Sequence, residues 1–325
     1  MMIGVIRLKF FIDRLIQQIE QKQSAVCVGL DPHLGRLPGH LKTKYQVESA
    51  ETGQEKASRL AEAIRDFNRQ IITMVAKSAV MVKPQLAFYE QLGPAGLEAL
   101  TDTIKAARQS GLLVLLDGKR NDIGSSARVY AAAYLDPDSL SGIGGADALT
   151  INPYLGREGV EPFLADSSRG AFALVRTSNP GAEEIQNIRL KNGTPFYLKM
   201  GKLMESWGEN LRGEAGYSNL GAVVGATHPV ELKELRQELP HTFFLIPGFG
   251  AQGAGAEEVV AGFDEKGLGG LVNAARSIIF AYQRKPYSEE YSEQDFALAA
   301  GEAARDMRDS INQALETARQ RDRRL

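Results

Sequence analysis

Eight short apolar runs, each followed by a helical pattern, constrain this chain more than any other feature. They cover 25–30, 80–82, 112–116, 146–151, 171–175, 220–224, 243–246 and 270–273. The third, Leu112 to Leu116, is five apolar residues in a row, which suits a strand buried on both faces. The segments between them carry the 3.6-residue repeat, as in Leu60, Ile64, Phe67, Ile71 and Met74. Leu97, Leu100 and Ile104 mark another helix that stops near Gly111, and Pro229 opens one after the sixth run. Ser125 or Ser126 is expected to cap a helix reaching Tyr134, and another is expected from about Arg157. Phe296, Leu298, Met307, Ile311 and Leu315 mark the last. Strands alternating with helices predict a parallel α/β protein. Eight of them favour a closed barrel over an open doubly wound sheet, and no Gly-x-Gly-x-x-Gly follows the first run to favour dinucleotide binding.

The expected fold is therefore α/β, a (β/α)8 TIM barrel, as a single domain over 1–325. Its additions are an N-terminal helix over 1–23, an insertion or flap over 181–216 after the fifth strand with a helical stretch around Leu198 to Leu211, and a C-terminal helical segment over 286–325. The N-terminal run Leu8, Phe11, Leu15, Ile19 reads as an amphipathic helix and not as a secretory signal. With a formal charge of -2 and no long basic run except 319–324, no nucleic-acid face is expected. No apolar stretch approaches the ~20 residues of a membrane span. The one cysteine, Cys27, reads as a small core residue; it leaves no internal disulfide and suits a reducing cytoplasm. The histidines, at 33, 40, 228 and 241, lack metal-ligand spacing.

The third run ends in Asp117-Gly118-Lys119-Arg120-Asn121-Asp122. Side chains two apart on a strand share a face, so Asp117 and Lys119 are expected to point the same way. An ion pair closing a core strand would explain one Asp and one Lys. Asp-x-Lys-x-x-Asp after a fully apolar strand reads as a functional site, because charges there are costly unless they pair or act. Asp31, Lys83, Asn152, Ser178, Gln252 and Arg276 also fall at strand ends, on the rim that carries active sites in such barrels. The glycine-rich 247–253 loop, with Gly250, and Arg276 just before a helix start at Ser277 together read as a phosphate site.

These segments, in this order, resemble the orotidine 5'-phosphate decarboxylase family, in its longer bacterial subgroup. The resemblance runs from Val28-Gly29-Leu30-Asp31-Pro32 to Ala275-Arg276-Ser277-Ile278. Between them lie Lys83-Pro84-Gln85, the Asp117 to Ile123 segment, Asn152-Pro153-Tyr154-Leu155-Gly156, Thr177-Ser178-Asn179-Pro180-Gly181 and 247–253. It implies a homodimeric barrel that converts orotidine 5'-monophosphate to UMP and carbon dioxide without metal or organic cofactor. Lys83, Asp117, Lys119 and Asp122 would form a charged tetrad, with Asp122 reaching in from the partner subunit and Ser126 on the same crossing segment. Asp31 would bind ribose with Lys83, Ser178 would read the pyrimidine edge, Gln252 would bridge pyrimidine and phosphate, and Arg276 would hold phosphate with neighbouring backbone such as Gly250. Gly118 and Asn121 stand where the subgroup often has alanine and glycine, and Ala275 replaces a usual glycine.

A metal-dependent sugar-phosphate decarboxylase or aldolase of the same fold is a rival reading. It needs acidic ligands at several strand ends, and Lys83 occupies one of them. A catalytically silent phosphate-binding scaffold is another, but a scaffold has no need of the tetrad.

Overall fold

The computed structural model describes residues 10–250 and 255–322. Eight parallel strands close into a barrel in sequence order. They are β1 (Val26–Leu30), β2 (Met81–Pro84), β3 (Leu113–Arg120), β4 (Ala148–Ile151), β5 (Gly170–Arg176), β6 (Leu220–Val224), β7 (Phe244–Pro247) and β8 (Gly270–Ala274). β1 pairs with β8 through Val26↔Val272, Cys27↔Asn273 and Val28↔Ala274, which closes the ring.

Alternation along the strands sorts the apolar residues into two cores. Val28, Val82, Val114, Leu116, Leu149 and Val272 face outward against the helices. Cys27, Met81, Leu115, Ala148, Phe172, Val223, Leu245 and Leu271 fill the barrel interior. The bottom is plugged by the helix Phe11–Lys22, whose Phe11, Ile12, Leu15, Ile16 and Ile19 join the interior core. Each such side chain contributes about 1.5–3 kcal/mol when fully buried. Phe11 meets Phe172 edge to face, and Gly170 is glycine because a Cβ there would lie 2.2 Å from the Phe11 ring. Leu8 of the predicted amphipathic run lies outside the described residues.

Several elements differ from expectation. The helix Gly124–Leu135 is preceded by Ile123 with no side-chain cap; Gly124 takes φ 51°, and Ser125 and Ser126 are exposed. The helix expected from Arg157 is only Arg157–Val160, continued by a 3-10 turn. Within 181–216, the helix Phe196–Trp207 buries Leu198, Met200 and Met204 and packs on β5 and β6 as a barrel helix. The last helix runs Phe296–Asp322 and packs on Gly53–Val75; Leu298 and Met74 lie off the buried faces. No helix among the described residues is long and apolar enough to cross a membrane.

Candidate active site

One step above the apolar interior layer, the inward positions turn polar. Met81 is followed by Lys83, Leu115 by Asp117, Ala148 by Thr150 and Leu271 by Asn273, all at the carboxyl ends of their strands. The backbone of Asp117 is itself anchored, since Leu86 N–H donates to its carbonyl at 3.2 Å.

Asp117 is shared by two ammonium groups. Lys83 Nζ lies 2.6 Å from Oδ2 and Lys119 Nζ 2.7 Å from Oδ1. Thr150 donates its hydroxyl to Oδ1 at 2.8 Å and accepts Lys119 N–H at 3.0 Å. Burial would raise the Asp117 pKa, but the Lys83 and Lys119 charges outweigh it and hold the carboxyl well below the usual carboxylate range. Burial would lower the Lys83 pKa, yet Asp117 and Asp31 hold it above the usual lysine range. Lys83 is buried beneath the site, whereas the Lys119 side chain is 47% exposed and opens to the mouth.

Lys119 and Asp117 meet by a route other than simple strand alternation. The β3–β4 register shifts between Leu116 and Arg120, and Lys119 takes φ 45°. For a residue with a Cβ that conformation costs on the order of 1–2 kcal/mol, so neighbouring contacts must hold it. Gly118, just before it, leaves space for Leu86, whose Cδ1 would lie 2.6 Å from an added Cβ.

The site continues around the rim. Burial, partly offset by Lys83, raises the Asp31 pKa; Asp31 also senses Asp117, His33 and Lys119. His33 in turn is held below the usual histidine range by burial and by Arg36 and Arg276, against the pull of Asp31. Asp31 Oδ1 and Asn273 Oδ1 are buried acceptors with no donor among the described residues, the condition in which a bound molecule can supply one. Arg276 is exposed and begins the short helix Arg276–Ile279. Opposite it, Gly250 takes φ 71°, and a Cβ there would lie 3.2 Å from Ser277 Oγ. Gln252 lies outside the described residues.

Ser178 is half-buried above β6, where Gly225 lets it approach: a Cβ at 225 would lie 2.9 Å from Ser178 Cβ. Its turn is held by Gln186, which accepts Thr177 N–H at 2.9 Å, and by the fully buried Arg176, which donates to Thr177 O at 3.2 Å. Asn152 serves its own turn by accepting Tyr154 N–H at 3.1 Å.

Asp122 and Ser126 do not join the cluster within one chain. Asp122 accepts its neighbour's amide, Ile123 N–H, at 2.8 Å and pairs with neither lysine among the described residues. Sequence reasoning missed Thr150, Arg176, Gln186, Gly225 and Asn273. For Thr150 and Asn273 the available signal was a polar residue at an inward position of an apolar strand. Among the described residues no group of three or more His, Cys, Asp or Glu could hold a metal ion.

Comparison with known proteins gives a consistent result. The sequence model of the orotidine 5'-phosphate decarboxylase / HUMPS family matches residues 24–291. The orotidine 5'-phosphate decarboxylase of Rhodopirellula baltica is 43% identical over 299 residues, covering 89% of this chain and 96% of that one. That of Clostridium perfringens is 38% identical over 306 residues, covering 93% and 98%. The structure of Leishmania donovani OMP decarboxylase superposes with a TM-score of 0.71 at 28% identity, covering 94% of this chain and 98% of that one.

Proposed function

The chain belongs to the orotidine 5'-phosphate decarboxylase family, and from that membership we propose how its residues carry out the carboxy-lyase reaction, orotidine 5'-monophosphate to UMP and carbon dioxide. The observation that carries the assignment is the Asp117 carboxylate held between Lys83 and Lys119 at the mouth of the barrel.

Breaking the bond from the ring carbon to the carboxylate leaves its electron pair in the ring plane, with no conjugated sink. Lys119 stabilises that charge and delivers a proton to the carbon. A fixed ammonium does this with little reorganisation, because its carboxylate partner already orients it. Asp117 lies beside the substrate carboxylate; two like charges at about 4 Å repel by roughly 4 kcal/mol at an effective dielectric near 20. That repulsion disappears with carbon dioxide. Lys83 holds Asp117 ionised and, with Asp31, meets the ribose. Ser178 reads the pyrimidine edge, Arg276 and the Gly250 backbone hold phosphate, and Gln252 bridges the two. The reaction takes no metal or organic cofactor, and the lysine at the end of β2 supports that reading over a metal-dependent one.

The active unit is a homodimer. Ile123, Val129, Tyr130, Tyr154 and Leu155 are exposed apolar side chains flanking Asp122 and Ser126, a grouping that favours a partner surface. Asp122 then completes the array of the neighbouring subunit. The flap role is assigned to 181–195, which carries the exposed Ile185 and Ile188, since 196–207 packs on the barrel. The single buried Cys27 supports a reducing, cytoplasmic setting. Chelator-treated protein is expected to remove the orotate absorbance of orotidine 5'-monophosphate; unchanged absorbance, or turnover only on adding a divalent metal, would overturn the proposal.

A further inference from the structure

We propose that Thr150 is the positioning residue for the reacting ammonium, fixing Lys119 through both its backbone and its side-chain partner. The proposal rests on Lys119 being the proton donor. Thr150 is 1% exposed on β4 and points to the barrel interior directly beside β3. The directions of its two hydrogen bonds are forced. A backbone amide can only donate and an ionised carboxylate can only accept, so the hydroxyl accepts from Lys119 N–H and gives its single proton to Asp117 Oδ1.

That arrangement is what the irregularity in β3 requires. Between Leu116 and Arg120 the ladder with β4 is broken, and regular pairing returns only at Arg120↔Ile151. Lys119 N–H therefore takes a side-chain acceptor, and Lys119 is held at φ 45°, a conformation a lysine keeps only when its surroundings enforce it. The same oxygen of Asp117 that accepts from Thr150 also holds Lys119 Nζ at 2.7 Å. One hydroxyl thus sets where the lysine leaves the backbone and how the carboxylate meeting its tip is turned. Valine has nearly the shape of threonine and suits a strand, so removing the hydroxyl tests this role with little change in packing.

The test compares Thr150→Val, Thr150→Ser and Lys119→Ala for kcat, KM, UMP affinity and amide exchange at Lys119. A small misplacement of a reacting group can cost on the order of 100-fold in rate. Thr150→Val is expected to lower kcat by about 10- to 100-fold while KM and UMP affinity stay within about threefold, and to speed exchange of the Lys119 amide. Thr150→Ser is expected to stay within about fivefold of the original kcat with slow exchange. Wild-type kcat in Thr150→Val, or equal losses in the valine and serine variants, would overturn the proposal. If valine unfolds the chain, Thr150→Ser against Thr150→Ala makes the same comparison, since both lose the methyl and only alanine loses the hydroxyl. An active Lys119→Ala would instead refute the proton-donor reading; an inactive Lys119→Ala beside a fully active Thr150→Val would refute the positioning role alone.

Discussion

Lys83 and Asp117, on adjacent strands, form a 2.6 Å ion pair with both side chains less than one-tenth exposed. Asp117→Asn removes the carboxylate hydrogen-bonded to the buried Lys83 ammonium and leaves only Asp31 to face its charge, which costs about 3–5 kcal/mol. The double change Lys83→Met with Asp117→Leu is expected to recover most of that stability, because a buried pair replaced by apolar groups is often neutral, and to show no turnover. Urea unfolding at neutral pH with a parallel activity assay checks both halves.

The same pair sets a pH window. Asp117 titrates below the usual carboxylate range in the folded chain, so its contribution is full above about pH 3.9 and is lost as pH falls toward the folded value. Lys83 titrates above the usual lysine range, so its contribution is full below about pH 10.4 and is lost as pH rises through the folded value. The wild-type chain is expected to lose stability more steeply than the Met/Leu double variant on both sides of that window. Parallel curves from about pH 3 to pH 11 would contradict this.

Gly29 and Ala275 are matched across the β1–β8 seam. A Cβ at 29 would lie 2.5 Å from Ala275 Cβ. Gly29→Ala is expected to cost about 1–3 kcal/mol through overpacking, and Gly29→Ala with Ala275→Gly to regain much of it. Thermal unfolding of the two variants decides this; equal losses would contradict it.

The barrel was legible because its apolar runs and helical repeats are spaced as eight βα units, and the Lys83–Asp117–Lys119 cluster was legible because charges sit at the ends of those runs. The local backbone was less so. Nothing in Asp117-Gly118-Lys119 signals that the lysine, not the glycine, takes positive φ; that depends on Thr150 from the next strand. The Ser125 and Ser126 cap failed because Gly124 at φ 51° leads the chain into the helix without a side-chain acceptor. Phe196–Trp207 looked like part of an insertion because the stretch 177–195 separates it from β5, yet its apolar face packs on the barrel. Asp122 pairs with neither lysine within one chain, and residue order points it toward a second subunit only through the family resemblance.

If Asp122 completes a partner's site, two inactive variants can repair one another. Mixing Asp122→Asn with Lys119→Ala at equal amounts and allowing exchange makes about half of the dimers mixed, each with one intact site, for about a quarter of wild-type activity. Activity no greater than that of the separate variants, with exchange confirmed, would contradict the shared site.

Lys119→Ala is the most direct test of the central claim. The variant is expected to fold and to bind UMP within about tenfold of wild type, because the phosphate and ribose contacts are proposed for other residues, while turnover of orotidine 5'-monophosphate falls by at least about 1,000-fold. Turnover within about tenfold of wild type would contradict the account, since the negative carbon would then be formed and protonated without the ammonium assigned to it.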